Sequence, residues 1–412
     1  MMPKGLWKGS ALAAVCCICM ALVSGQAELS AADGGVRRDT VRLVHGVSLD
    51  SRPGYIFQTS SFFRGENSLG RPMRGTYASH LRYAFRFGPD TELGRDYPHV
   101  SQGVGLAYNT FFNRTDIGDP LAVYVFQRAE LLPFGNGLSL DFEWAFGLSA
   151  GWKSFDAWAE QNPGFNDVVG SWANAYIGLG LLLGYDLPRG WSVTAGVDIS
   201  HYSNGNTSYP NKGVNTIGAR IGLSKAFHND DGASDGDGRC AAAPFRRHLS
   251  YDLVVYGAWR FKGVKLAIDP FLLPGKFAVA GLNFTPLYNV SRYFRAGLSL
   301  DLRYDESANI DKYALDPYSQ FTKFYRPPFI EQFSAGISAR VELVFPIFSL
   351  DFGIGRNFVC RGDDTDGFYQ IAALKASLTR HFFIHVGYQL YRFHEPNNLM
   401  LGLGWRFGAG KR

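Results

Sequence analysis

Beyond its first two dozen residues the sequence holds no run of the roughly 18 apolar residues that a membrane-crossing helix requires. A bundle of transmembrane helices is thereby excluded. Cysteine is scarce: of five, Cys16, Cys17 and Cys19 lie in the N-terminal apolar segment, and Cys240 and Cys360 are expected on opposite membrane sides. No intramolecular disulfide is expected. The formal net charge of +5 includes Lys4 and Lys8, and the other basic residues are interspersed with acids. This argues against a nucleic-acid partner. The nine histidines lack metal spacing such as HExxH, and Asp230, Asp231, Asp235 and Asp237 lack a full EF-hand loop and read as a solvated turn.

What is abundant is apolar and aromatic surface, at 46% and 15% of residues, together with 48 glycines. These are distributed over many short alternating segments. Phe333, Ala335, Ile337, Ala339, Val341, Leu343 and Phe345 interleave with Ser334, Gly336, Ser338, Arg340 and Glu342. Phe294 to Arg303 and Leu399 to Phe407 repeat the pattern. In lipid every main-chain amide needs a partner, and only a closed sheet supplies this for strands. The fold class expected is therefore all-β, an antiparallel transmembrane β-barrel. A large soluble all-β protein is the alternative.

The N-terminus, with Lys4 and Lys8 before an apolar run from Ala11 to Val23 and then Ser24-Gly25-Gln26-Ala27, reads as a secretory signal peptide over residues 1–27. About 16 strands follow, near residues 52, 77, 102, 119, 137, 171, 190, 214, 249, 275, 291, 330, 347, 367, 380 and 397. An even count puts both termini in the periplasm. Short links such as Leu187 to Gly190 then fall on the periplasmic side, and long ones such as Gly151 to Gly170 and Gly205 to Gly213 fall outside. Two links, Gly88 to Ser101 and His228 to Arg247, break this rule. The second is Gly/Asp-rich and divides the chain into residues 28–227 and 248–412, joined by 228–247, as halves of one wide barrel or as two units.

One strand carries chemistry. In Trp191 to Ser203 the residues Trp191, Val193, Ala195, Val197 and Ile199 share a face with His201 and Ser203, because a strand repeats every two residues. Asn215 opens the returning strand on the same face as Ile217, Ala219, Ile221 and Leu223. A serine needs a base, a group that holds the base, and donors for the oxyanion. Ser203 is the candidate nucleophile, His201 the base and Asn215 the holder, with the Asn204 side chain and the Gly205 or Asn206 amide as oxyanion donors. Asp198 and Glu143 have lumen parity, and Lys212 or Arg220 is a candidate contact for lipid phosphates. Ser149 sits in a GxSxG pattern, Gly147 to Gly151, but that motif works only on a strand-to-helix turn.

The run HYSN at 201–204, followed by PNKGV at 210–214, resembles the lipid A 3-O-deacylase (PagL-type) family of outer-membrane barrels, which cleave the 3-linked acyl chain of lipopolysaccharide. Looser similarity extends from about Gln102 to Phe227 and includes LDFEWAFGLSAGW. The overall organisation looks like the larger acyloxyacyl hydrolase relatives, and the part beyond Arg247 exceeds the small family barrel. The resemblance implies Ser203 as nucleophile, His201 as base and Asn204 as oxyanion residue. It places a glutamate where this chain has Asn215, and a glycine where it has Asn206.

The function expected is an outer-membrane esterase that removes an ester-linked acyl chain from lipid A. It would use neither metal nor organic cofactor, and its site would face the outer leaflet. The rival is a catalytically inactive barrel serving as pore, uptake channel or structural protein. Oligomeric state is open, a homodimer included.

Overall fold

The computed structural model describes residues 43–154, 166–227, 244–266, 269–315, 323–393 and 395–408. The expected signal peptide (1–27), residues 228–243 of the Gly/Asp-rich link with its four aspartates, and Cys240 lie outside the described residues. Cys360 is a free, half-buried thiol. Among the described residues no helix is long and apolar enough to cross a membrane.

Strands β1 (Leu43–Ile56), β2 (Gly75–Phe87), β3 (Val100–Thr110), β4 (Leu121–Gly135), β5 (Leu138–Ala150), β6 (Ala173–Leu187), β7 (Trp191–Ser203) and β8 (Val214–Phe227) pair in sequence order. β1 and β8 then pair antiparallel, from His45 against Phe227 to Ile56 against Thr216, and close the barrel. A second barrel follows. It consists of β9 (His248–Arg260), β12 (Phe277–Asn289), β13 (Phe294–Asp305), β16 (Phe333–Val344), β17 (Phe348–Val359), β18 (Phe368–Ser377), β19 (Phe382–Tyr391) and β20 (Glu395–Phe407), and β20 closes on β9. The short strands β10 (Gly263–Leu266), β11 (Asp269–Leu272), β14 (Ala314–Leu315) and β15 (Lys323–Phe324) form two small hairpins in its loops. The sixteen wall strands thus form two eight-stranded barrels rather than one wide one. Only the first begins well away from its expected position: β1 starts at Leu43 and runs through Pro53 and Gly54.

In each barrel most tight turns lie at one end and most long connections at the other, as at Pro188–Gly190 against residues 204–213 in the first; the 88–99 connection and the short β19–β20 link depart from this. The wall is apolar outside: Leu49, Leu81, Val197 and Ile221 are each more than half exposed.

Eight strands leave an interior that side chains just fill, and here charge fills it. In the first barrel Arg52, Arg82 and Arg220 interlock with Asp50, Glu143 and Asp198. Glu143 accepts from Arg220 at 2.6 Å and from Arg82 at 2.7 Å, and Asp50 from Arg52 at 2.9 Å. Toward the loop end, Tyr124, Tyr176, Tyr202, Phe111 and Trp152 pack as a buried aromatic cluster. The second barrel joins Asp252, Glu342, Asp301 and Asp351 with Lys375, Arg406, Arg340 and Arg295. In each of these networks the named cations and anions are equal in number. Removing one member strands its partners in a low dielectric, which costs about 3–5 kcal/mol for a buried pair. Glu143→Gln is therefore expected to lower the unfolding free energy by about 3 kcal/mol. The measurement is the urea midpoint of heat-modifiable gel migration, and an unshifted midpoint would count against a structural role for this network.

Candidate active site

His201 is the direct cross-strand partner of Asn215 on β8 and of Ile177 on β6, and Ser203 lies opposite Ala175. Directly opposed residues on one face stand about 5 Å apart at Cβ, which is the reach of one hydrogen bond between their side chains. His201 Nδ1 meets Asn215 Oδ1 at 2.7 Å, and Nε2 meets Ser203 Oγ at 2.8 Å. An amide oxygen can only accept, so Nδ1 carries the proton, and Nε2 offers its lone pair to the serine hydroxyl. Sequence spacing alone had brought these three residues to one face, and the structure brings them into contact.

All three are half-buried on the outward side of the wall, among the exposed side chains of Ile177, Ile199, Ile217 and Phe57. Asp198 and Glu143 point inward and are held by arginines, so neither is available to the imidazole. Ser149 is fully buried inside the barrel, where its Oγ donates to the Asn174 carbonyl and accepts from Trp152 Nε1.

The expectation for Arg220 is corrected. It is 1% exposed and lies in the barrel interior against Glu143 and Asp50. It precedes Ile221 on a strand whose odd-numbered residues face out, so a lipid phosphate cannot reach it. Lys212 is exposed and ion-paired with Asp167.

The chain leaving Ser203 is pinned by residues to which sequence reasoning assigned no role. Asn211 Oδ1 accepts the Asn204 N–H at 2.9 Å, and Asn211 bridges to Val169. The Lys212 N–H donates to the Val168 carbonyl, and Asn166 Oδ1 receives the N–H groups of Val168 and Val169. Asn204 is buried, with its side-chain amide 3.5 Å from the Pro210 carbonyl. Gly205 and Asn206 follow, both left-handed with φ of 63° and 66°. Gly213 has a φ of +71°, and a Cβ built on it would stand 3.0 Å from His201 Cε1. Both Asn211 and Gly213 lie in the PNKGV run, which was their one trace in the sequence. Among the described residues no group of His, Cys, Asp or Glu is placed to hold a metal ion.

A model of the lipid A 3-O-deacylase (PagL) family matches residues 139–224, which span β5 to β8 and the whole His201 constellation. A model described as the acyloxyacyl hydrolase C-terminal domain matches residues 249–409. No curated protein matches the sequence. Among solved structures, the outer membrane enzyme PagL aligns at 16% identity over 42% of this chain and 97% of that one, with a TM-score of 0.28. Neisserial surface protein A aligns at 9% identity over 45% and 96%, with a TM-score of 0.29. Matched in both barrels by two models that together span more than half of its length, the chain belongs to the PagL-type lipid A 3-O-deacylase and acyloxyacyl hydrolase family of outer-membrane β-barrels.

Proposed function

We propose that this protein is a serine esterase that removes an ester-linked acyl chain from lipid A, with its site facing the outer leaflet. The observation that carries the reading is His201 bonded on one side to Ser203 and on the other to Asn215, on the apolar outer wall of a barrel. Ser203 Oγ attacks the acyl carbonyl while His201 Nε2 takes its proton. The imidazolium then protonates the departing sugar oxygen, and water repeats the cycle on the acyl-enzyme. The Asn204 side chain and the main-chain N–H of Gly205 or Asn206 are assigned as donors to the carbonyl's developing charge. The acyl chain lies along Ile177, Ile199 and Ile217, so lateral diffusion in the leaflet delivers substrate.

Asn215 sets the rate. Its oxygen selects the productive tautomer, but an amide offers no charge to the imidazolium, as a carboxylate would. This favours slow turnover, and it is also the observation behind the competing reading of a barrel without activity. The interlocked charges inside both barrels weigh against the pore version of that rival.

Mass spectrometry of lipid A from cells making each variant tests the reading. Wild type should yield lipid A lacking one acyl chain, and Ser203→Ala should reduce this to background, a loss of about 10³-fold or more. Asn215→Glu should raise the rate, by up to ~10⁴-fold if the full carboxylate contribution is recovered. Identical lipid A from all three, with conductance in planar bilayers, would sink the esterase and favour the channel.

Gly213→Ala places a methyl group against the imidazole and a side chain in left-handed backbone, at about 1–2 kcal/mol for the backbone alone. Deacylation should fall about tenfold or more as the His201–Ser203 geometry loosens, with heat-modifiable migration retained. Full activity in this variant would mean that imidazole placement is not critical.

A further inference from the structure

Two connections of the first barrel, one at each end, differ in the sign of their charge. At the turn end, residues 88–99 hold Asp90, Glu92 and Asp96 against Arg95. At the loop end, residues 57–74 hold Arg64, Arg71 and Arg74 against Glu66. All three arginines are exposed, and none forms an ion pair among the described residues; the Arg64 guanidinium donates one hydrogen bond, to the Gln58 carbonyl.

This β1–β2 loop is built and anchored. Phe62, Phe63 and Met73 are buried in the aromatic core at the barrel's loop end. The Met73 N–H donates to the Phe63 carbonyl at 2.9 Å, and Gln58 Nε2 donates to the Met73 carbonyl at 2.8 Å. Asn67 Nδ2 donates to the carbonyls of Phe62 and Arg71. An ordered scaffold therefore carries the cations.

The loop also starts at the active site. The Phe57 N–H donates to the Asn215 carbonyl at 2.9 Å, and the Ile56 N–H to the Arg74 carbonyl at 2.8 Å. Arg74 thus immediately precedes β2, the second strand over from Asn215, about 10 Å along the wall at ordinary strand spacing. Between them Tyr55 and Phe57 meet edge to face on the outer surface, both exposed. Aromatic rings of this kind mark the level where hydrocarbon gives way to headgroups.

We infer that Arg64, Arg71 and Arg74 form a docking surface for the phosphorylated sugar headgroup of the lipid whose acyl chain reaches Ser203. Guanidinium groups suit this role, because their paired N–H donors match two phosphate oxygens at once. The inference rests on the lipid A reading and names the part of the protein that holds the substrate's anionic end.

The experiment uses the full chain in detergent, carrying Ser203→Ala so that bound lipid is not consumed, with native mass spectrometry to count adducts. The probes are lipid A bearing its phosphates and the same lipid after enzymatic dephosphorylation. The phosphorylated form should bind more tightly, and the Arg64→Ala/Arg71→Ala/Arg74→Ala variant should lose that preference, on the order of a hundredfold for three surface cations. The triple lysine variant should keep most of it, and heat-modifiable migration verifies folding of both. Excess inorganic phosphate should not displace the lipid. Equal binding of the two lipids, an unaffected alanine variant, or displacement by inorganic phosphate would each overturn the docking surface. Phosphate-selective adducts without turnover in the Ser203 protein would refute the esterase and leave this inference standing. Turnover without phosphate selectivity would do the reverse.

Discussion

A strand in hydrocarbon must hand every main-chain N–H and C=O to another strand, and eight strands satisfy this only by closing on themselves. Closure gives each wall residue one of two environments and forbids slipping between them, because a one-residue shift would send arginines into lipid and leucines into the interior. The ion-paired interiors lock that parity. Arg220, Arg82 and Arg52 reach across the first barrel from three strands to share Asp50, Glu143 and Asp198. The outward direction of His201, Ser203 and Asn215 follows from the inward direction of Asp198 and Arg220 on the same two strands.

The same constraint explains why the candidate triad is economical. Three side chains on one hairpin, two on β7 and one opposite on β8, form an acceptor–base–hydroxyl line without long-range folding to assemble it. The remaining demand is for order at the hairpin's open end. Asn211, Asn166 and the Val168–Val169 stretch meet it by stitching the chain after Ser203 to the loop before β6. Asn215 completes the geometry while withholding charge, so in this hairpin alignment of the imidazole and stabilisation of its charged form are separated.

Much of the wall was legible because alternation in a barrel has strong physical cause. Strand positions inferred from apolar periodicity fall close to the observed starts of fifteen of the sixteen wall strands; β1 starts at Leu43, ahead of the expected position near residue 52. The face shared by His201, Ser203 and Asn215 was legible for the same reason. Arg220 shows the limit. Its own parity pointed inward, and only Glu143 and Asp50 waiting in the lumen show why an arginine can be buried there. Asn211 and Gly213 were invisible as supports, since hydrogen bonding of a loop to a distant loop leaves no periodic signal.

From the order of residues alone came the all-β barrel class, the number of wall strands and the face on which a histidine meets a serine, since each is set by local alternation with period two. Tertiary structure alone decided that the strands close as two rings of eight, that Nδ1 and Nε2 of His201 both find partners, and that the interiors are filled with ion-paired charge. Those outcomes depend on which distant strands become neighbours, and closure of the sheet, a property of no single segment, determines that.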